Sequence, residues 1–164
     1  MSVLQDKDRA ALLNSVKETG VFVTCGTKTP NIMVTHWGTM GVLWGREVFI
    51  LPIRSIKYSY KIVTDTGCFA LNVPSSARDM RTEISLCDTM SGFKTNKFET
   101  LGLHPKRAKE IDSYIIGECG LIVECKVIAT IPPENISCVI PDLFSNKTPH
   151  TLFVGEAVKS YRIK

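Results

Sequence analysis

Nowhere in these 164 residues does an apolar run approach the roughly eighteen needed to span a bilayer. The opening residues, MSVLQDKDRA, carry acids and lack the apolar core of a secretory signal, so a cytoplasmic protein with no membrane partner is expected. Low-complexity tracts and internal repeats are absent, which argues against disorder and against a solenoid. A dense basic face is missing too. The formal charge is only +4, with one small cluster at Lys106, Arg107 and Lys109. That balance argues against nucleic acid and suits a small anion such as a phosphate.

Six cysteines are present, but there is no CxxC pair and no histidine at ligand spacing from a cysteine pair. A zinc site and a disulfide framework are therefore not expected. Cys25, Cys68, Cys119 and Cys125 fall in strand-like apolar runs, where a reduced thiol acts as a small hydrophobe. Cys87 and Cys138 lie near expected loops and leave a thiol-based redox role as one reading. No cation adjoins either in sequence to lower its pKa, which ranks that reading last. P-loop, GxGxxG, HExxH and nucleophile-elbow motifs are lacking, and three separated histidines make no triad. If the protein is an enzyme, a bound cofactor supplies the chemistry.

What is present reads mainly as strand. With 44% apolar residues the chain suits one domain, 1–164, with a single well-filled core. Residues 1–20 form a helical extension: Ala10, Leu13 and Val16 recur at helical spacing between Asp6 and Thr19, with Gly20 as its cap. Strands are expected at Val21–Cys25, through Pro30–Gly38, at Arg46–Ile53 and at Cys68–Val73. A long β segment follows over Ile115–Ile131, broken near Gly117–Gly120, and the last strand is His150–Tyr161 with a bulge at Gly155. Helices are expected over Ser55–Thr64, after a capping box at Ser76–Asp79 with Met80, Ile84 and Cys87 as its apolar stripe, and around Phe98 and Leu101. A proline-rich insertion occupies 132–149. The fold class is mainly β, a barrel with helical insertions.

Two stretches could hold an anion. At Arg54-Ser55-Ile56-Lys57-Tyr58-Ser59 a strand ends and a helix begins, so free N–H groups, two cations and two hydroxyls gather. The same residues could equally be a solvated first turn. In Ser91-Gly92 through Lys97-Phe98, Gly92 permits close backbone approach and Lys97 offers another cation. The stretch PNIMVTHWG, residues 30–38, is harder to place. It mixes Asn31, Thr35, His36 and Trp37 with apolar side chains behind a clear strand.

These blocks, with Leu71-Asn72-Val73-Pro74 and His150-Thr151-Leu152-Phe153-Val154-Gly155-Glu156, occur in an order that resembles the flavin reductase-like, FMN-binding split-barrel family. The flavoredoxin branch is the nearest match, from about Gly20 to Tyr161. The resemblance implies a Greek-key split barrel and a homodimer with FMN near the subunit interface. Asn31, the Met33–Thr35 backbone through Val34, and Trp37 would edge the flavin ring. Arg54, Lys57, Tyr58 and Ser59 would meet the ribityl chain and phosphate, with Ser91 and Lys97 reaching the same region and His150 on the ring side. Hydride from NADH or NADPH, or electrons from a redox protein, would pass through FMN to an acceptor. A non-catalytic FMN-binding carrier or storage module is the alternative.

The chain departs from the family at four places, one of them the proline-rich insertion before His150, which is longer than usual and would cover or block the flavin's open face. Phe93, Lys94, Thr95 and Asn96 stand where Arg-Asp-x-Asp is frequent, and His36 replaces a small residue. The sequence also stops at Lys164, where relatives usually continue into a tail that reaches the cofactor.

Overall fold

Seven strands make one antiparallel sheet, and every one of them sends side chains into a single core. The computed structural model describes residues 2–140, 143 and 149–163. Its elements run α1 (Asp6–Glu18), β1 (Val21–Cys25), β2 (Asn31–Thr35), β3 (Thr39–Leu43), β4 (Arg46–Arg54), α2 (Tyr58–Thr66), β5 (Cys68–Val73), α3 (Arg81–Thr89) and α4 (Lys97–Leu101). They continue through β6 (Pro105–Arg107), β7 (Tyr114–Ile116), β8 (Leu121–Ile131), a 3-10 turn at Pro133–Asn135 and β9 (His150–Arg162). The strand order is β2-β1-β5-β8-β9-β4-β3. Neighbours distant in sequence, β1 with β5 and β4 with β9, make this a Greek key rather than a meander. The end strands β2 and β3 do not pair with each other, so the barrel is split. The mainly β architecture read from the sequence is borne out.

Inside the barrel, Val23, Met33, Met40, Phe49, Leu71, Val123 and Phe153 come from all seven strands, and Leu12 and Val16 of α1 join them. The N-terminal helix is thus part of the core. A second apolar layer lies on the outer face of β1, β2, β5 and β8. There Phe22, Ile32, Ala70 and Ile122 meet Ile84 and Cys87 of α3, Phe98 of α4, and Ile115 and Ile116 of β7. Burial on both faces explains why β1, β2 and β5 read as unbroken apolar runs instead of alternating. The second layer is held by Glu124 of β8. Its carboxylate accepts the backbone N–H of Lys109 (2.7 Å), Glu110 (2.7 Å) and Ile111 (3.0 Å) and the Tyr161 hydroxyl (2.7 Å). Every lone-pair direction of this buried acid is used, which is what burial of a charge requires.

Several expectations need correction. Strand β3 was not foreseen, because the β3–β4 turn is Trp44-Gly45, both with positive φ, and lacks the usual Asn-Gly signature. The second helix starts at Tyr58 rather than Ser55, since Arg54 O accepts the Lys57 N–H in a turn first. No box at Ser76 caps α3; Asp79 instead takes the Arg81 N–H at 3.1 Å. The β segment over 115–131 does break, but β7 pairs with β6 in a separate two-stranded sheet. In the insertion expected over 132–149, residues 141–142 and 144–148 lie outside the described residues. Within the described residues, no helix is long and apolar enough to cross a membrane.

Gly155 is not itself a bulge. It pairs regularly with Phe49 and Val127, and the register slip comes at the next residue of β8, Ile128. A Cβ on Gly155 would come within 2.5 Å of the Phe69 ring and 3.0 Å of Cys125. Phe69 is wholly buried and has nowhere to retreat. Gly155→Ala is therefore expected to cost about 1–3 kcal/mol of stability through overpacking, read as a lowered urea midpoint with unchanged slope. An unchanged midpoint would mean that the ring can move.

Candidate functional site

Strand β2 lies at the open edge of the barrel, bonded to β1 on one side only. Alternate peptide groups of an edge strand face away from the sheet and need other partners. Along this edge sit α2, α3 and α4, and between them and the mouth of the barrel run two cavities that share Met33, Arg54, Lys57 and Asp88. All twelve site residues expected from the sequence line them. Met33, Val34, Thr35, Trp37, Arg54, Lys57 and His150 border the first cavity, of about 180 Å³. Asn31, Met33, Arg54, Lys57, Tyr58, Ser59, Ser91 and Lys97 border the second, of about 260 Å³.

The first cavity has an aromatic and apolar wall. Trp37 is 58% exposed and packs edge-on against His150, ring centroids 5.0 Å apart. Thr35 Oγ1 donates to the Trp37 carbonyl at 2.6 Å and accepts its N–H at 3.3 Å, which fixes the chain as it leaves β2. His150 opens β9 directly opposite Arg54 of β4. Burial, and then the Arg54 charge, lower its pKa, so the imidazole is neutral at pH 7. His36 is exposed and packs over Gly20 at the rim.

The second cavity gathers positive charge. No side chain caps α2, and its first turn carries no acid, so its free N–H groups and positive dipole end are uncompensated. Lys97 is only 6% exposed, and its Nζ donates to the Cys87 carbonyl near the end of α3 at 2.9 Å. Burial lowers its pKa, and repulsion from Lys57 adds to that. With one strong hydrogen bond and a long one to the Cys87 sulfur, the ammonium group keeps a further donor to satisfy. Lys57 faces Asp88 at 3.6 Å.

Asn31 ties the parts together. It lines the second cavity, not the ring-like first one. Its amide donates to Ser59 Oγ of α2 at 2.8 Å, and its carbonyl oxygen lies so close to Gly92 that a Cβ there would stand 1.9 Å away. The segments starting at Asn31, Arg54 and Ser91 therefore meet at one amide group.

The sequence reading missed Asp88, which borders both cavities. On α3 it follows the inward Cys87 and carries no signal beyond that of an ordinary surface acid. Cys87 lies on the apolar stripe of α3, as expected, and at 1% exposure is not the accessible loop-side thiol of the thiol-redox reading. Lys97 does adjoin its sulfur, at 3.8 Å, but burial still raises the thiol pKa, so it is not an activated nucleophile. All six cysteines are unpaired. No group of three or more potential metal ligands occurs among the described residues.

Because Gly92 is needed only while Asn31 is there, the two substitutions should be strongly coupled. Gly92→Ala alone is expected to cost about 1–3 kcal/mol by displacing the buried amide. In an Asn31→Ala background the same change should cost far less. Additive effects in urea unfolding would show that the contact does not hold the three segments.

Known proteins share this fold. A relative from Archaeoglobus fulgidus, an uncharacterised protein, is 25% identical over 134 residues; that alignment covers 82% of this chain but 66% of the relative. Flavoredoxin of Desulfovibrio vulgaris has the same fold, with TM-score 0.71 and 24% identity over 87% of this chain and 68% of its own. So has the NADH:FAD oxidoreductase of Streptomyces globisporus, with TM-score 0.67 and 18% identity over 99% of this chain and 87% of its own. Residues 13–163 match the model of the flavin reductase like domain. The chain belongs to the flavin reductase-like family.

Proposed function

We propose that the two cavities hold one FMN and that the protein is a flavin oxidoreductase. The observation that supports this most is Lys97, a buried ammonium that lines the second cavity together with Ser91, Arg54 and the uncapped start of α2. A phosphate there would complete its hydrogen bonds and offset its charge. One cavity further on, Met33, Trp37 and His150 offer the apolar and aromatic wall that a flavin ring needs. Together the two volumes fall within the roughly 300–1,000 Å³ typical of small-molecule sites.

In this reading Lys97, Arg54, Lys57, Ser59 and Ser91 bind the phosphate, and Tyr58 and Asp88 border the ribityl chain. Asn31 keeps α2 and the Gly92 loop at the separation the ligand needs. The outward peptide groups of β2 from Met33 to Thr35 meet the polar edge of the ring. FMN, when bound, supplies hydride and electron transfer; the chain supplies orientation and excludes water. No acid or base of the protein is required. Neutral His150 limits the positive charge at the ring end to Arg54 and Lys57.

The electron donor is NADH, NADPH or a redox protein. A homodimer belongs to the proposal, and Val42 and Trp44 of the β3–β4 hairpin leave apolar surface for a second copy. Six unpaired thiols suit a reducing compartment such as the cytoplasm.

Lys97→Ala should weaken FMN binding by about tenfold or more, the value of a charge-assisted hydrogen bond, and leave riboflavin binding unchanged. Titration by quenching of flavin fluorescence reads both. Equal loss for the two ligands would remove Lys97 from the phosphate. Rapid anaerobic bleaching of the bound flavin by NADH or NADPH is the second test. Failure of both nucleotides would leave a carrier fed by another protein.

A further inference from the structure

Among the described residues, Asp88 is the one acid on the walls of the two cavities, and it borders both. An acid is out of place beside a phosphate. A carboxylate only accepts hydrogen bonds and repels another anion, so it offers the phosphate nothing. Asp88 has no part in holding the fold either. Its side chain is half exposed, and it makes no hydrogen bond with the described residues. The same helix is anchored by Ile84 and Cys87 instead. The one ionic partner of Asp88 among the described residues is Lys57, at 3.6 Å, too far for a hydrogen bond but close enough to cancel charge.

The charges divide unevenly between the cavities. Arg54, Lys57 and Asp88 border both, which gives the ring cavity a formal charge of +1 beside neutral His150. Lys97 borders only the second cavity and brings it to +2. Without Asp88, two uncompensated cations would face the ring cavity and make it an anion site in its own right. Nearby positive charge also favours the anionic reduced state of a flavin and so raises its potential. We infer, resting on the FMN reading, that Asp88 is a specificity-determining counter-charge. It offsets Lys57 where the cavities meet, confines the phosphate to the Lys97 end and holds the potential of the bound flavin down.

The test compares wild type with Asp88→Asn, which removes the charge and keeps the shape, and with Asp88→Glu, which keeps the charge. An unchanged urea midpoint confirms that each variant is folded. Each protein is titrated with FMN and with riboflavin at low ionic strength, and the midpoint potential of the FMN-loaded form is measured against a reference dye. Asp88→Asn should tighten FMN about three- to tenfold more than riboflavin, and should favour reduced over oxidised FMN by about the same factor, so the potential rises. Asp88→Glu should stay near the wild-type potential. Adding Lys57→Gln to Asp88→Asn should bring the potential back toward wild type, because cation and acid leave together. If Asp88→Asn keeps both the wild-type potential and the wild-type preference between FMN and riboflavin, the counter-charge is overturned while FMN binding stands. Equal loss of both flavins at an unchanged potential overturns it too, and leaves Asp88 as a plain hydrogen-bond acceptor. A wild-type protein that binds no FMN overturns the underlying reading as well.

Discussion

One side-chain amide sets the geometry of the site. Asn31 begins the edge strand β2, and through Ser59 and Gly92 it fixes the start of α2 and the loop after α3 relative to that strand. These three segments are far apart in sequence, and each contributes a different kind of group. The strand gives peptide edges, the helix gives its positive end, and the loop gives close backbone approach. None is selective alone. Held at one point, they define a groove whose charge and width are set before any ligand arrives, which is how a rigid scaffold reduces the entropy of binding.

The scaffold can hold that point because it is packed twice. The barrel interior and the outer layer under α3, α4 and β7 bury β1, β2 and β5 from both sides. An edge strand buried in this way cannot slip in register without moving apolar residues of two layers at once. The site therefore sits on the edge of the sheet yet is backed by its best-packed part.

Much of this was legible from residues alone. The β-branched runs at 21–25 and 68–73 fixed strands correctly, and the cation- and hydroxyl-rich joint at 54–59 marked the strand-to-helix junction. Five blocks in order carried the fold family. What escaped was set by tertiary contact. Strand β3 hides because its turn uses Trp44 where Asn is usual. Gly155 looked like a bulge because a glycine in a strand has two causes, and only coordinates show the Phe69 ring above it. Asp88 is invisible for a simpler reason: helical periodicity tells which residues turn inward, but not that an outward one borders a groove. Asn31 was assigned to a ring edge by resemblance; its burial and its bond to Ser59 place it in the second cavity, at the start of α2.

Lys97 has a consequence for the protein's life in a cell. An ammonium held away from water with a single strong acceptor penalises the empty fold, and a phosphate bound as proposed would remove that penalty. Cofactor supply and protein survival are then one equilibrium. In a riboflavin-starved cell a larger share of newly made chains would stay open to proteases, and the amount of protein would follow the vitamin without any transcriptional control.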